Sequence, residues 1–203
     1  MSVRPRHVVF DLGGVLIDWN PRHLYREMID DEAVMEDFLA NVCTQAWNSQ
    51  QDAGRSTAEA TAILVGQFPE HRDLIEAYYG QFERMWNGTF DDTVAIVAEL
   101  RNAGVPLFGL TNWSAETFPV AEERFGFLRW FDDIVVSGRE GIIKPDPAIF
   151  HLSLERFGLK ADETLFIDDT ASNAEAASSL GFHTHHYIGP ETLRRDLQMH
   201  GLL

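Results

Sequence analysis

A single cysteine, Cys43, in 203 residues rules out an internal disulfide and leaves a small apolar side chain suited to burial. No apolar run approaches the roughly 20 residues needed to cross a bilayer, and no charged-then-apolar leader opens the chain. The expectation is a reducing, cytoplasmic setting with no membrane partner. Positive charge is scarce too: 16 Lys and Arg stand against 32 Asp and Glu, a formal charge of −16. No run of basic residues offsets this locally, which works against nucleic acid as a partner. An anionic ligand would need its own local cation, either a lysine or a metal ion. Low-complexity tracts and internal repeats are missing as well. At 45% hydrophobic and 24% charged residues, the chain is an ordinary globular one, long enough for one well-buried domain plus an insertion. Composition leaves the oligomeric state open.

What is present is a pattern of short buried strands separated by helices. "HVVF" is continuously apolar, as in a strand buried on both faces, and ends at Asp11. From residue 18 to 88 the periodicity turns helical, with Leu24 and Met28, then Met35, Phe38 and Leu39, and a helix opening at Thr57; no convincing strand is legible there. After "NGTFDD" strands and helices alternate. "TVAIVAELRNAG" is a helix closed by Gly104, "VPLFGL" a strand ending at Thr111, and "DIVVS" a strand; "DPAIFHLSLERFG" is a helix, "TLFID" a strand ending at Asp168, "SNAEAASSLG" a helix and "HTHHY" a last strand. The expected fold is α/β: a Rossmann-like parallel sheet with helices on both faces, formed by residues 1–17 and 89–203, plus an all-helical cap of residues 18–88 inserted after the first strand.

Ligands of open parallel sheets bind outside the carboxyl ends of the strands. That rule gathers Asp11, Thr111, Asp168 and Asp169 at one edge, with Lys144 of "GIIKPDP" on a neighbouring loop. Two adjacent acids at a buried strand end repel one another, and a cation relieves the repulsion.

Together "VVFDLGGVL", "LFGLTNWS", "GIIKPDPAIF" and "LFIDDTASNAEAA" resemble the four motifs of the haloacid dehalogenase superfamily over nearly the whole chain. The helical insertion is similar to that superfamily's mobile cap, and the "DLGGV" form resembles its sugar-1-phosphate phosphatases. The resemblance implies that Asp11 attacks phosphorus and forms an aspartyl phosphate that water hydrolyses. Thr111 would donate its hydroxyl to a phosphoryl oxygen, Asn112 and Trp113 would add backbone N–H groups at a helix start, and Lys144 would supply the local positive charge. Mg²⁺ would be held by Asp11, the Gly13 carbonyl and Asp168, with Asp169 acting nearby or through water. The substrate implied is a small phosphorylated metabolite.

One residue departs from the family's pattern. Most phosphatases of the superfamily carry, two positions after the nucleophile, an aspartate that protonates the leaving oxygen and then activates water; here Gly13 stands there. General acid–base help contributes about 10²–10⁴ in rate, so the substitution points to a stable leaving group or to a proton donor from elsewhere, with Asp18 and His23 as the nearest candidates. The family's 2-haloacid dehalogenases displace halide from carbon and need no such proton. They resemble this chain less, since they carry serines where it has Asp168 and Asp169, and an aspartate where it has Asn173. A binding or regulatory protein that turns over slowly is the third reading, weakened by the joint presence of Asp11, Thr111, Lys144 and Asp168.

Other features say less. His183, His185 and His186 lack a transition-metal spacing with nearby acids and are expected at the periphery. Trp47, Asp52, Asp18, Asn20, His23 and Arg55 lie in the cap or its hinge, where they would either touch substrate or simply pack and solvate. Gly13 and Gly14 do not continue into a dinucleotide-binding motif.

Overall fold

A computed structural model describes residues 4–203. In chain order, β1 (His7–Phe10) and β2 (Ile17–Trp19) lead into five helices, α1 (Pro21–Tyr25), α2 (Glu32–Asn41), α3 (Gln45–Asp52), α4 (Thr57–Gln67) and α5 (Arg72–Gly80). The chain returns through β3 (Trp86–Thr89) to α6 (Asp91–Asn102), β4 (Leu107–Thr111), α7 (Phe118–Arg124), β5 (Asp133–Val136) and α8 (Ser137–Glu140). It finishes with α9 (Pro147–Phe157), β6 (Thr164–Asp168), α10 (Ala171–Ser179), β7 (His183–His186) and α11 (Pro190–His200). Among the described residues, no helix is long and apolar enough to cross a membrane.

Five strands form one sheet in the order β5-β4-β1-β6-β7, every pair parallel. The strand runs were continuously apolar because both faces are covered. Val8, Phe10, Leu165 and Ile167 face one hydrophobic cluster, while the alternating Val9 and Phe166 face another. The edge strand β7 carries histidines on a half-exposed surface, which suits an edge that must not pair further.

The insertion has a hydrophobic core of its own, built around Tyr25, Met35, Phe38, Trp47, Ile75 and Tyr78. Local side chains start four of its five helices: Asn20 accepts from Arg22 N, Asp31 from Ala33 N and Val34 N, Thr44 from Trp47 N, and Ser56 from Glu59 N. Cys43 belongs to this core, and burial pushes its thiol up to about 12, which makes it an inert apolar filler.

The region from 18 to 88 does contain strand. β2 and β3 pair antiparallel, Ile17 opposite Thr89 and Trp19 opposite Trp86, so the expected boundaries fall inside a two-stranded ribbon that carries the chain to and from the helices. The ribbon escaped notice for a physical reason. Its strands have three and four residues, their partners are far apart in sequence, and "WNGT" holds residues with low strand preference. Trp19 and Phe82 pack against the clusters of both sheet and insertion, tying the two together at this ribbon.

Candidate active site

Asp11 follows β1 directly, and its N–H donates to Ile167 O at 2.8 Å, so the chain stays in the sheet for one residue past the strand. With Phe10 in register with Gly109 and Ile167, that extra step sets Asp11 beside the ends of β4 and β6. Its Oδ1 accepts from Leu12 N at 2.7 Å. Its Oδ2 lies 3.0 Å from Lys144 Nζ. Lys144 is fully buried and also donates to Asp168 Oδ2 at 2.7 Å and to Leu110 O at 2.9 Å.

Asn112 holds this lysine by its main chain. The Asn112 Oδ1 accepts from Lys144 N at 2.8 Å and the Nδ2 donates to Lys144 O at 2.9 Å. The asparagine side chain therefore positions the cation, a task that sequence did not suggest. The expected helix start after Thr111 is absent: α7 begins only at Phe118, and the Trp113 N–H is already donated to Ser137 Oγ at 2.9 Å. The five residues after Asn112 form an irregular turn instead, because they must pass over α8. A Cβ on Gly138 would stand 2.4 Å from Ala115 N, so only glycine lets the two segments meet.

The two adjacent acids divide differently from the expectation. Asp168 has no solvent exposure, and its oxygens are taken by Lys144, Thr170 N at 2.8 Å and Asn173 Nδ2 at 3.1 Å. Asp169 lines the cavity. A direct metal ligand needs an oxygen facing the ligand, and that favours Asp169 over Asp168, the reverse of the order inferred above. Gly14 makes the room: it sits at φ +75°, and a Cβ there would lie 2.3 Å from Asp169 Oδ2.

Asp11, Asp168 and Asp169 bring one oxygen each to within 4.8 Å of one another. Burial pushes the Asp11 carboxyl up to about 8; Lys144 opposes this, and Asp168 and Asp169 add to it. The Asp169 carboxyl is also raised, by burial first and then by Asp168. Lys144 would be pulled down by burial, but Asp11 and Asp168 more than offset this and hold it above its ordinary value. Three carboxylates against one ammonium leave the cluster short of positive charge, a formal −2 that one divalent cation would cancel. All the donors are hard oxygens, so the residues present fit Mg²⁺.

A cavity of about 470 Å³ opens over these residues. Its floor holds Asp11, Gly13, Thr111, Lys144, Asp169 and Asn173, and its roof is Trp19, Gln45, Asn48, Ser49, Asp52 and Phe82 from the cap. A wider depression of about 620 Å³ on the cap itself, between α4 and α5, holds none of the motif residues.

Of the six cap residues singled out from sequence, Asp52 alone lines the cavity. Trp47 is cap core, edge-on to Tyr78. Asn20 caps α1, and Arg55 donates to Gln51 at 2.9 Å. Asp18 and His23 face one another at 3.2 Å and are not among the lining residues, so neither stands where a leaving group would need its proton. The roof residues that were missed had a signal. Gln45, Asn48, Ser49 and Asp52 follow an i, i+3, i+4, i+7 spacing, one polar face of α3, while Trp47 turns inward. The histidines of β7 are each engaged singly, His183 with Asp162 O, His185 with Asp196 and His186 with Asp169 O.

The family model for haloacid dehalogenase-like hydrolases matches residues 5–181. Among curated relatives, the chain is 27% identical to a sesquiterpene phosphatase of Aspergillus oryzae, covering 85% of each chain. It is 28% identical to a phosphoglycolate phosphatase of Yersinia pseudotuberculosis, over 87% of this chain and 78% of that one. A 39% match to mouse acyl-CoA dehydrogenase family member 10 takes in 50% of this chain and only 9% of that protein. Among solved structures, a HAD-like family hydrolase of Porphyromonas gingivalis superposes with a TM-score of 0.73 at 23% identity, over 96% and 98% of the two chains. A HAD family enzyme of Bacteroides thetaiotaomicron, solved with magnesium and inorganic phosphate, gives 0.67 at 21% over 89% and 93%. The L-2-haloacid dehalogenase of Xanthobacter autotrophicus gives 0.64 at 17% over 98% and 84%. With its parallel sheet, its acids at the strand ends and a family match spanning most of its length, the chain belongs to the haloacid dehalogenase-like hydrolases.

Proposed function

We propose that the protein is a Mg²⁺-dependent phosphatase of a small phosphorylated metabolite, working through an aspartyl phosphate on Asp11. The observation that carries this reading is the cluster of Asp11, Asp168 and Asp169 about the buried Lys144, which lacks positive charge and is built of hard oxygen donors. Asp11 attacks phosphorus, with Lys144 beside it to stabilise charge on the transferring group. Thr111, at the end of β4 and on the cavity floor, donates its hydroxyl to a phosphoryl oxygen. Asp168 anchors Lys144 from behind, and Asp11, Asp169 and the Gly13 carbonyl would hold the metal ion. When bound, Mg²⁺ neutralises the acids and orients the phosphoryl oxygens.

The roof narrows the substrate. Trp19, Phe82, Gln45, Asn48 and Ser49 carry no charge, and among the described residues Lys144 is the one cation lining the cavity. A second anionic group on the substrate would find no partner, so the part beyond the phosphate should be neutral. A carbon displacement on a 2-haloacid would likewise need a partner for the acid's carboxylate, and it has no use for three crowded carboxylates.

A panel of nitrophenyl phosphate, neutral sugar phosphates, phosphoglycolate and 2-chloropropionate, run with Mg²⁺ and with chelator, tests this. Phosphate release from the neutral esters should need Mg²⁺, with phosphoglycolate at least tenfold poorer in kcat/KM. Dechlorination without metal, and no phosphate release, would sink the reading.

A further inference from the structure

Gly13 leaves the reaction without the proton donor that the leaving oxygen requires, and the cavity supplies few alternatives. Four titratable side chains line it among the described residues: Asp11, Lys144, Asp169 and Asp52. Asp11 is the attacking group, Lys144 is locked between Asp11 and Asp168, and Asp169 belongs to the acid cluster. Asp52 remains, and it comes from the opposite wall, the cap side on which a leaving group must depart from an in-line attack. We propose that Asp52 is the acid–base residue of this phosphatase, protonating the leaving oxygen and then taking a proton from the attacking water. The proposal rests on the phosphatase reading above.

The surroundings of Asp52 fit that role. A relay of hydrogen bonds, part-buried and then buried at its last step, ends on its carboxyl. Arg55 Nε donates to Gln51 Oε1 at 2.9 Å, Gln51 Nε2 to Tyr79 OH at 3.1 Å, Tyr79 OH to Asn48 Oδ1 at 2.9 Å, and Asn48 Nδ2 to Asp52 Oδ2 at 3.1 Å. The Asn48 amide, held in turn by Tyr79 and Gln51, fixes one carboxyl oxygen of Asp52 in place. The main chain is fixed as well: Asp52 O accepts from Ser137 Oγ at 2.6 Å, which pins the end of α3 to the sheet domain.

Among the described residues, no cation is paired with Asp52. The titratable groups that face it are Tyr78 and Tyr79 of α5. Arg55 donates its Nε to Gln51 rather than to Asp52, while Arg139 and Glu140 of α8 are paired outward with Glu122 and Arg156. Glu116 of the loop after β4 is bonded to Thr57. Burial pushes the Asp52 carboxyl up to about 7, with the Ser114 backbone amide opposing, so both its acid and its base forms are populated near neutral pH.

The steps balance. An oxygen of Asp11 bonds to phosphorus as the bond from phosphorus to the leaving oxygen breaks, and that oxygen takes the proton from Asp52. Water then attacks the aspartyl phosphate, giving a proton to the Asp52 carboxylate. Inorganic phosphate leaves, Asp11 is regenerated and Asp52 is again protonated.

Asp52→Asn should be compared with wild type on nitrophenyl phosphate, whose leaving group needs no proton, and on propyl phosphate, whose leaving group does. The variant should release one enzyme equivalent of nitrophenolate in a burst and then turn over slowly. On propyl phosphate it should lose about 10²–10⁴ in kcat with no burst. Gly13 has room for a replacement donor, since a Cβ there meets nothing within 4 Å and its φ is not left-handed. Gly13→Asp in the Asp52→Asn background should therefore recover propyl phosphate turnover. If the single variant fails to fold, the wild type decides: kcat/KM for propyl phosphate relative to that for nitrophenyl phosphate should fall as pH rises through about 7, because titration of Asp11 acts on both substrates alike. Equal losses on both substrates without a burst, unchanged propyl phosphate turnover, or parallel wild-type pH profiles would overturn the assignment. A wild type with no Mg²⁺-dependent phosphatase activity would instead remove the reading beneath it.

Discussion

Asp52 and Lys144 show how the same burial yields opposite outcomes. Lys144, one of two lysines in the chain, is buried with two carboxylates and stays charged. Asp52 is buried with an amide and a serine-bonded carbonyl, and its charged form is disfavoured. That contrast has a stability consequence. With its folded-state pKa raised to about 7 from an ordinary 3.8, Asp52 holds its proton more tightly folded than unfolded. Stability is therefore lost as pH rises from about 4 to about 7, and the penalty is complete above that range. Asp52→Asn removes the ionisation and keeps the shape. Urea unfolding of the two proteins should show the variant gaining on wild type across that window, by on the order of a few kcal/mol at the top and little at the bottom. A difference that does not vary with pH would mean that the carboxyl is solvated.

Between elements, the decisive contact is where the end of α3 meets α8 and the loop after β4. Ser137 Oγ accepts from Trp113 N and donates to Asp52 O, so one buried hydroxyl spaces the cap against the strand end that carries Thr111. Gly138 allows this approach, and an added methyl would press on Ala115 N and on Trp113 O at 2.7 Å, both main-chain atoms that cannot swing aside. Gly138→Ala is expected to cost about 1–3 kcal/mol in urea unfolding. It should also lower kcat by moving the 112–115 turn; a variant with unchanged stability and rate would contradict this contact. Junctions of this kind were the least legible from sequence. Strand ends could be read because each buried run stops abruptly at Asp11, Thr111 or Asp168. The ribbon of β2 and β3 joins segments nearly a cap's length apart, and the Asn112 clasp on Lys144 depends on two loops whose meeting no local pattern encodes. Sequence did not distinguish Asp168 from Asp169 because adjacent acids look alike there, whereas at a strand end successive side chains point opposite ways, and Asp169 is the one that lines the cavity.

For the molecule as a whole, charge and architecture divide the work. Acids outnumber bases two to one, and most arginines are spent in exposed pairs such as Arg22 with Glu36 and Arg194 with Glu99. Such pairs contribute little stability individually. They leave Lys144 as the one cation lining the cavity among the described residues. The sheet domain brings Asp11, Lys144 and the acids Asp168 and Asp169 to one edge, and the cap brings a polar helix face with one carboxyl. This division explains why chemistry was legible early and selectivity was not: the chemistry sits on strand ends, the selectivity on one face of a helix that must first be docked.

The most direct test of this account is rapid quenching of the enzyme with nitrophenyl phosphate in Mg²⁺, followed by peptide mass spectrometry. The account predicts one phosphoryl group on the peptide that contains Asp11, present during turnover, more abundant in Asp52→Asn and absent in Asp11→Asn. Turnover that proceeds with no phosphoryl group on that peptide would contradict it.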